Sequence, residues 1–135
     1  MKKTLFILIF MALVSCQSDI APKKYFKATS TDTLALLDLT ITNNNFYGNY
    51  KIKYSGDQFS GQVRGEVIGD TLIGRFKYNT AQGTFAVKPF VLLKKEDTYI
   101  QGTGVTWIYL NIPYFEKKSI QFKTTNLHFV PSTQW

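Results

Sequence analysis

From Leu34 onward the apolar residues of this chain fall on alternate positions. Over Leu34–Thr42, Leu37, Leu39 and Ile41 share one face, while Asp38, Thr40 and Thr42 share the other. Over Phe46–Tyr54, Phe46, Tyr50, Ile52 and Tyr54 alternate with Tyr47, Asn49, Lys51 and Lys53. Phe59–Ile68 and Thr71–Tyr78 repeat the pattern, with Val63 and Phe76 on one side and Arg64 and Arg75 on the other. A period of two belongs to a half-buried strand and excludes an amphipathic helix. The segments start about a dozen residues apart, and turn residues separate them. Asn43–Asn45, Ser55–Gln58, Asn79–Gln82 and Lys94–Asp97 are turns by composition. Gly69-Asp70 suits a two-residue hairpin turn with positive φ at its first position. Further strands are expected over Gly83–Leu93 and Thr98–Val105, the former edge-like or bulged at Pro89, which has no N–H to give a ladder. With no helical pattern between them, these strands predict an antiparallel meander rather than βαβ units.

Glycine placement narrows the architecture. Gly48, Gly61, Gly65 and Gly74 all fall on the apolar face of their strands. Glycine weakens a strand interior unless the sheet bends or another backbone comes close. Alternation of large and small residues on the inner face suits a coiled sheet that closes on itself and so removes its edges. The expected fold is all-β: an up-and-down meander closing into a small barrel of about eight strands, over residues 33–135. Ser119–Thr124 and Asn126–Val130 alternate again and are expected to close the sheet. Gly104–Phe115, GVTWIYLNIPYF, is less regular. It reads as a strand followed by a lid across the barrel mouth, or as core packing. Its aromatics Trp107, Tyr109, Tyr114 and Phe115 are the candidate contacts for a ligand or partner.

The N-terminus, MKKTLFILIFMALVSC, carries Lys2 and Lys3, then an unbroken apolar run from Leu5 to Val14. Ten residues are too short for a hydrocarbon core of about 30 Å but fit the apolar region of a secretory signal peptide. Leu13-Val14-Ser15-Cys16 resembles the bacterial lipobox. That resemblance implies a diacylglycerol on Cys16, cleavage before it, and acylation of the new amine. Several acyl chains at about 0.8 kcal/mol per buried methylene give stable anchoring where one does not. Residues 1–15 are then a signal peptide, and 16–32 a lipidated cysteine with a flexible, Pro22-containing tether. Lys23, Lys24 and Lys27 in the tether either touch anionic headgroups or are simply solvated. Gln17, rather than Asp, after the cysteine favours the outer membrane, with the periplasmic or external face left open. Loss of Lys2 and Lys3 lowers the formal charge from +7 to +5.

The meander itself resembles a group of small uncharacterised Bacteroidota lipoproteins over roughly residues 34–130. The likeness rests on Gly48-Asn-Tyr-Lys51, Phe59-Ser-Gly-Gln-Val-Arg-Gly65, Gly69-Asp-Thr-Leu72, Gly83, Phe90-Val-Leu-Leu93 and Gln101-Gly-Thr-Gly104. These are turn and glycine signals, so the resemblance implies a fold and carries over no catalytic residue. Lipocalins and avidins are similar in outline, a likeness of architecture only.

Little in the chain suggests chemistry. One Cys and one His leave no disulfide framework and no Cys/His zinc site. His128 reads as an exposed strand histidine. Asp38 and Glu66 sit on outward strand positions where Lys51 or Arg64 could pair with them across strands. No carboxylate pair, Gly-x-Ser-x-Gly elbow or phosphate loop is marked out. The expectation is a non-enzymatic protein without cofactor or metal, anchored to the membrane through Cys16 and remote from nucleic acid. Its partner is an unknown envelope protein or a small apolar ligand, or it is a structural envelope component. Ligand binding would need a continuous interior cavity lined by Phe46, Tyr50, Val63, Phe76 and Trp107. Protein binding would need an exposed aromatic patch.

Overall fold

The structure, a computed structural model, describes residues 20–133. The expected signal peptide and Cys16 lie outside the described residues. Ten strands are present: β1 (Lys24–Thr29), β2 (Thr33–Thr42), β3 (Asn45–Tyr54), β4 (Asp57–Ile68), β5 (Thr71–Asn79), β6 (Phe85–Lys95), β7 (Thr98–Gln101), β8 (Thr106–Tyr109), β9 (Ile112–Phe115) and β10 (His128–Ser132). Eight close into a barrel in the order β1-β10-β7-β6-β5-β4-β3-β2, and every pairing is antiparallel. β8 and β9 form a separate two-stranded ribbon inserted between β7 and β10. The expected closed all-β meander is therefore the fold, and in outline it is consistent with lipocalins and avidins.

The turns follow their chemistry. Ser55 (φ 47°) and Gly56 (φ 85°) are both left-handed between Tyr54 and Asp57, as a type I′ hairpin requires. Gly69 takes φ 60° at the first position of the β4–β5 turn, and Asp70 does not need it. On the inner face Gly65 and Gly74 stand opposite each other in register. A Cβ on Gly65 would lie 2.4 Å from the Gly74 Cα, so the sheet coils here only because both side chains are absent.

Aromatic side chains fill the interior. The Tyr50 ring lies 4.9 Å from Phe76, 5.2 Å from Phe90 and 6.1 Å from Phe129, centroid to centroid. Phe26 meets Tyr99 edge-on at 5.1 Å. Such pairs add about 0.5–1.5 kcal/mol each beyond area burial. Phe46, Leu37, Val63, Leu72 and Leu92 complete the core. Burial raises the Tyr50 phenol well above the ordinary tyrosine range, partly opposed by its hydrogen bond to Gln101 and assisted by nearby Tyr54. Burial likewise raises Tyr99.

Three expectations need correction. Residues 24–29, expected within the tether, form β1, which pairs with both β2 and β10 and so seals the barrel. Phe26 and Ala28 are buried while Lys24, Lys27 and Thr29 are exposed, an alternation only two inward residues long. Ser119–Thr124 does not run as a strand; a single 3-10 turn at Lys117–Ser119 and one bridge between Thr103 and Gln121 occupy that stretch. The strand expected to Val105 ends at Gln101, because Gly102 packs close to Val91 and Phe122 and the chain leaves the barrel there. Pro89 keeps its expected place. It pairs with Arg75 on one side, while β7 covers only Leu92–Lys95 on the other.

Candidate functional site

Two features stand out on the outer surface, and both involve the ribbon. Its stem is pinned by five hydrogen bonds. Glu116 N–H donates to the Val105 carbonyl at 2.9 Å, and Val105 N–H to Ser119 Oγ at 2.8 Å. Thr103 and Gln121 exchange two backbone bonds at 3.0 and 2.8 Å. Ser119 Oγ–H in turn donates to the Glu116 carbonyl. Beyond this stem β9 leans on β6 and β5.

The ribbon's side chains are apolar and open to solvent. Trp107 pairs with Tyr114 and Tyr109 with Ile112 on one face, and Ile108 pairs with Pro113 on the other. Trp107 is 54% exposed, Ile108 71%, Tyr109 67% and Leu110 77%. Tyr114 is exposed too, while Phe115 is half-buried beside Gly104. At the tip Leu110 (φ 49°) and Asn111 (φ 62°) make a type I′ turn. A branched apolar residue in left-handed backbone is uncommon and costs on the order of 1–2 kcal/mol. Three of the four expected contact residues, Trp107, Tyr109 and Tyr114, thus lie together on one ribbon face. Phe115 lies on the other. Leu110 and Ile108 are not aromatic, and Leu-Asn is not a favoured turn pair, so the residue pattern does not mark this tip.

The ribbon does not cap an interior cavity. Phe46, Tyr50, Val63 and Phe76 are buried in the core, whereas Trp107 stands outside the barrel. The five residues that would have lined one internal chamber are therefore divided between a filled core and the exterior.

The second feature is a groove of about 1070 Å³ between β9 and the outer face of β3–β6. Its floor includes one row across the sheet: Tyr47, Arg64, Arg75 and Pro89 in successive register. Ile112, Tyr114 and Phe115 of β9 form the wall, together with Ile120. At one side lies Asp38, which is 4% exposed although it belongs to the outward set of β2. Among the described residues its partners are Lys23 and Asn49. Lys23 Nζ approaches it at 3.9 Å, and Asn49 donates to it twice. Glu66 stands opposite Asn45 and Ile73. A smaller cleft of about 570 Å³ lies beside β1, between Tyr25 and Tyr99.

His128 opens β10 on the surface, its Nε2 3.1 Å from the Thr124 carbonyl. Among the described residues no three of His, Cys, Asp and Glu gather where a metal ion could sit, and no helix is long and apolar enough to cross a membrane. The fold and surface define a class: a closed antiparallel barrel with a filled core and an exposed apolar ribbon on its outer wall. Comparison with protein-family models, curated proteins and solved structures returns no match that would narrow that class to a family.

Proposed function

We propose that this is a lipid-anchored, non-enzymatic protein of the bacterial cell envelope, outer membrane in preference to inner, that engages a protein partner through the β8–β9 ribbon, as an interaction or inhibitory module. The ribbon carries the reading. A stem fixed by hydrogen bonds presents Trp107, Ile108, Tyr109 and Leu110 to solvent on a strand pair with no charged residue between Val105 and Phe115. Exposed aromatic anchors on a rigid support are what protein-binding hot spots are made of. Leu110 adds a second indication, since a strained apolar residue at a solvent-facing tip has a use only when something covers it. Anchoring rests on the lipobox-like Leu13–Cys16, which would hold the barrel at a membrane through the chain preceding β1.

Binding of a small apolar ligand inside the barrel has less support, because aromatic rings occupy the interior. A purely structural envelope role is the outcome expected if the ribbon captures nothing. The deciding experiment is crosslinking in native envelopes followed by affinity capture and mass spectrometry. The wild type is compared with a Trp107→Ser/Ile108→Ser/Leu110→Asn variant. A partner held by the wild type and lost by the variant supports the reading. Identical captures from both sink it.

A further inference from the structure

We propose that the groove beside β9 is a binding site for an amphiphile with an oxyanion head, a phosphate ester attached to an apolar chain, held by Arg64 and Arg75. The two arginines are directly opposite each other on β4 and β5. Cross-strand partners have Cβ atoms about 4.5–5.5 Å apart, and like charges at that spacing destabilise a sheet. Neither guanidinium has a hydrogen bond or ion pair among the described residues, and both side chains are exposed, so water and salt alone screen the repulsion. The one nearby acid on the same strand face, Glu66, is directed by register against Asn45 and Ile73 and lies outside ion-pair distance of both. Asp38, the other acid of the groove, is already occupied by Asn49 and Lys23.

A tetrahedral oxyanion between the two arginines turns that repulsion into attraction. Guanidinium is the group best matched to it, because its planar fork donates two parallel bonds to phosphate and is weakly hydrated. Lys117 lies on the same groove and adds to the positive field. The rest of the lining explains the chain. Ile112, Tyr114, Phe115 and Ile120 on the wall, with Tyr47 and Pro89 flanking the arginines on the floor, offer apolar surface next to the charged head site. At about 1070 Å³ the groove is slightly larger than the pockets of about 300–1,000 Å³ that take drug-sized ligands. Basic floor and apolar wall together select for an amphiphile over either a bare anion or a neutral hydrocarbon.

The site uses the groove floor and the β9 wall, whereas the protein-binding reading rests on Trp107, Ile108, Tyr109 and Leu110. Its test is calorimetric titration of residues 17–135, which lack the acyl chains and the apolar run Leu5–Val14 but keep every strand of the barrel. The probes are decyl phosphate, decyl glucoside and inorganic phosphate, each below its micelle concentration where one exists. Decyl phosphate should bind at least about tenfold more tightly than either of the others. Arg64→Ala/Arg75→Ala should weaken decyl phosphate by about tenfold or more, while its melting temperature stays equal to or above the parent's because a like-charge pair is gone. Ile108→Ser/Leu110→Asn should leave decyl phosphate binding unchanged. Equal binding of decyl phosphate by the parent and the double arginine variant, or no binding by the parent, overturns the site. Inorganic phosphate binding as tightly as decyl phosphate overturns the amphiphile and points to a free oxyanion source. Decyl glucoside binding as tightly overturns the role of the head.

Discussion

The Asp38 carboxylate replaces a missing piece of sheet by binding Asn49 twice. Oδ1 accepts the Asn49 backbone N–H at 2.8 Å, and Oδ2 accepts its Nδ2–H at 2.9 Å. The β2–β3 ladder runs through Leu37↔Tyr50 and resumes at Thr40↔Tyr47, so the carboxylate sits where backbone pairing lapses. A Cβ on Gly48 would fall within 1.8 Å of the Asp38 carbonyl oxygen, which shows how tightly the two strands cross at this corner. The Asn49 N–H is part-buried, so losing its acceptor costs at most the low end of the about 1–3 kcal/mol of a buried orphan donor. Asp38→Ala should therefore lower the melting temperature by several degrees, at about 4–8 °C per kcal/mol for a small domain. Asp38→Asn, which can keep one acceptor, should lose less. Thermal unfolding followed by circular dichroism distinguishes the two, and an unaltered midpoint in Asp38→Ala would show the bonds to be dispensable.

Gly65 and Gly74 make a second corner. A methyl group on either would meet the opposing backbone, Ile73 and Gly74 for one and Arg64 and Gly65 for the other. Overpacking of this kind costs about 1–3 kcal/mol, and here it falls on backbone that cannot rotate aside. Gly74→Ala should destabilise clearly in urea, whereas Ser60→Ala on an exposed position of β4 should stay within about 0.5 kcal/mol. Equal midpoints for the two variants would contradict the close approach.

Tyr50 sets a pH limit on the fold. Its folded-state pKa is raised above the ordinary value of 10.0, chiefly by burial. The unfolded phenol therefore ionises first as pH rises. The stabilisation is complete below about pH 10 and is lost progressively above it, because the unfolded state then binds fewer protons than the folded one. Tyrosinate absorbance should show Tyr50 and Tyr99 still protonated at a pH where a free phenol of pKa 10.0 is ionised. Tyr50→Phe should make the alkaline fall in stability shallower by up to one proton. It should also cost about 0.5–1.5 kcal/mol at neutral pH through loss of the 3.2 Å bond to Gln101 Oε1. An unchanged alkaline slope would assign the pH dependence elsewhere.

Leu110 opposes stability to use. Leu110→Asn puts a residue that tolerates left-handed backbone at φ 49° and should stabilise the ribbon by about 1 kcal/mol. The same change should reduce partner capture, since it removes the most exposed apolar side chain of the ribbon. Undiminished capture alongside the gain in stability would show that the tip is not a contact.

Lipidation has a direct readout. Protein extracted from membranes should have an intact mass that begins at Cys16 and includes acyl additions. Cys16→Ala should abolish the acyl additions and leave the uncut chain with residues 1–15 attached. A wild-type chain that starts at Met1 without modification would remove the anchoring proposal.

Much of the barrel is legible in the residue pattern. β2 through β5 lie within two residues of the segments marked out by alternation, because each is long and buries one face. β1 is not legible, since Phe26 and Ala28 are its only buried residues and the neighbouring lysines give the segment the composition of a linker. The stretch after Gly102 misleads for the opposite reason. Its residues alternate, yet they serve as a surface ribbon and its stem rather than as barrel wall, and periodicity does not say which surface a strand will meet.

The period of the strands, the hairpin turns and the corners where only glycine fits follow from the order of amino acids alone, since each depends on contacts a few residues apart or on the backbone freedom of one residue. Closure of the chain in three dimensions is what makes the polar N-terminal segment seal the barrel and aromatic rings fill it. Closure also sets Trp107 outside, while the register of the β4–β5 hairpin sets Arg64 against Arg75. Those relations join residues whose meeting is fixed by register and packing across the sheet, not by local preference.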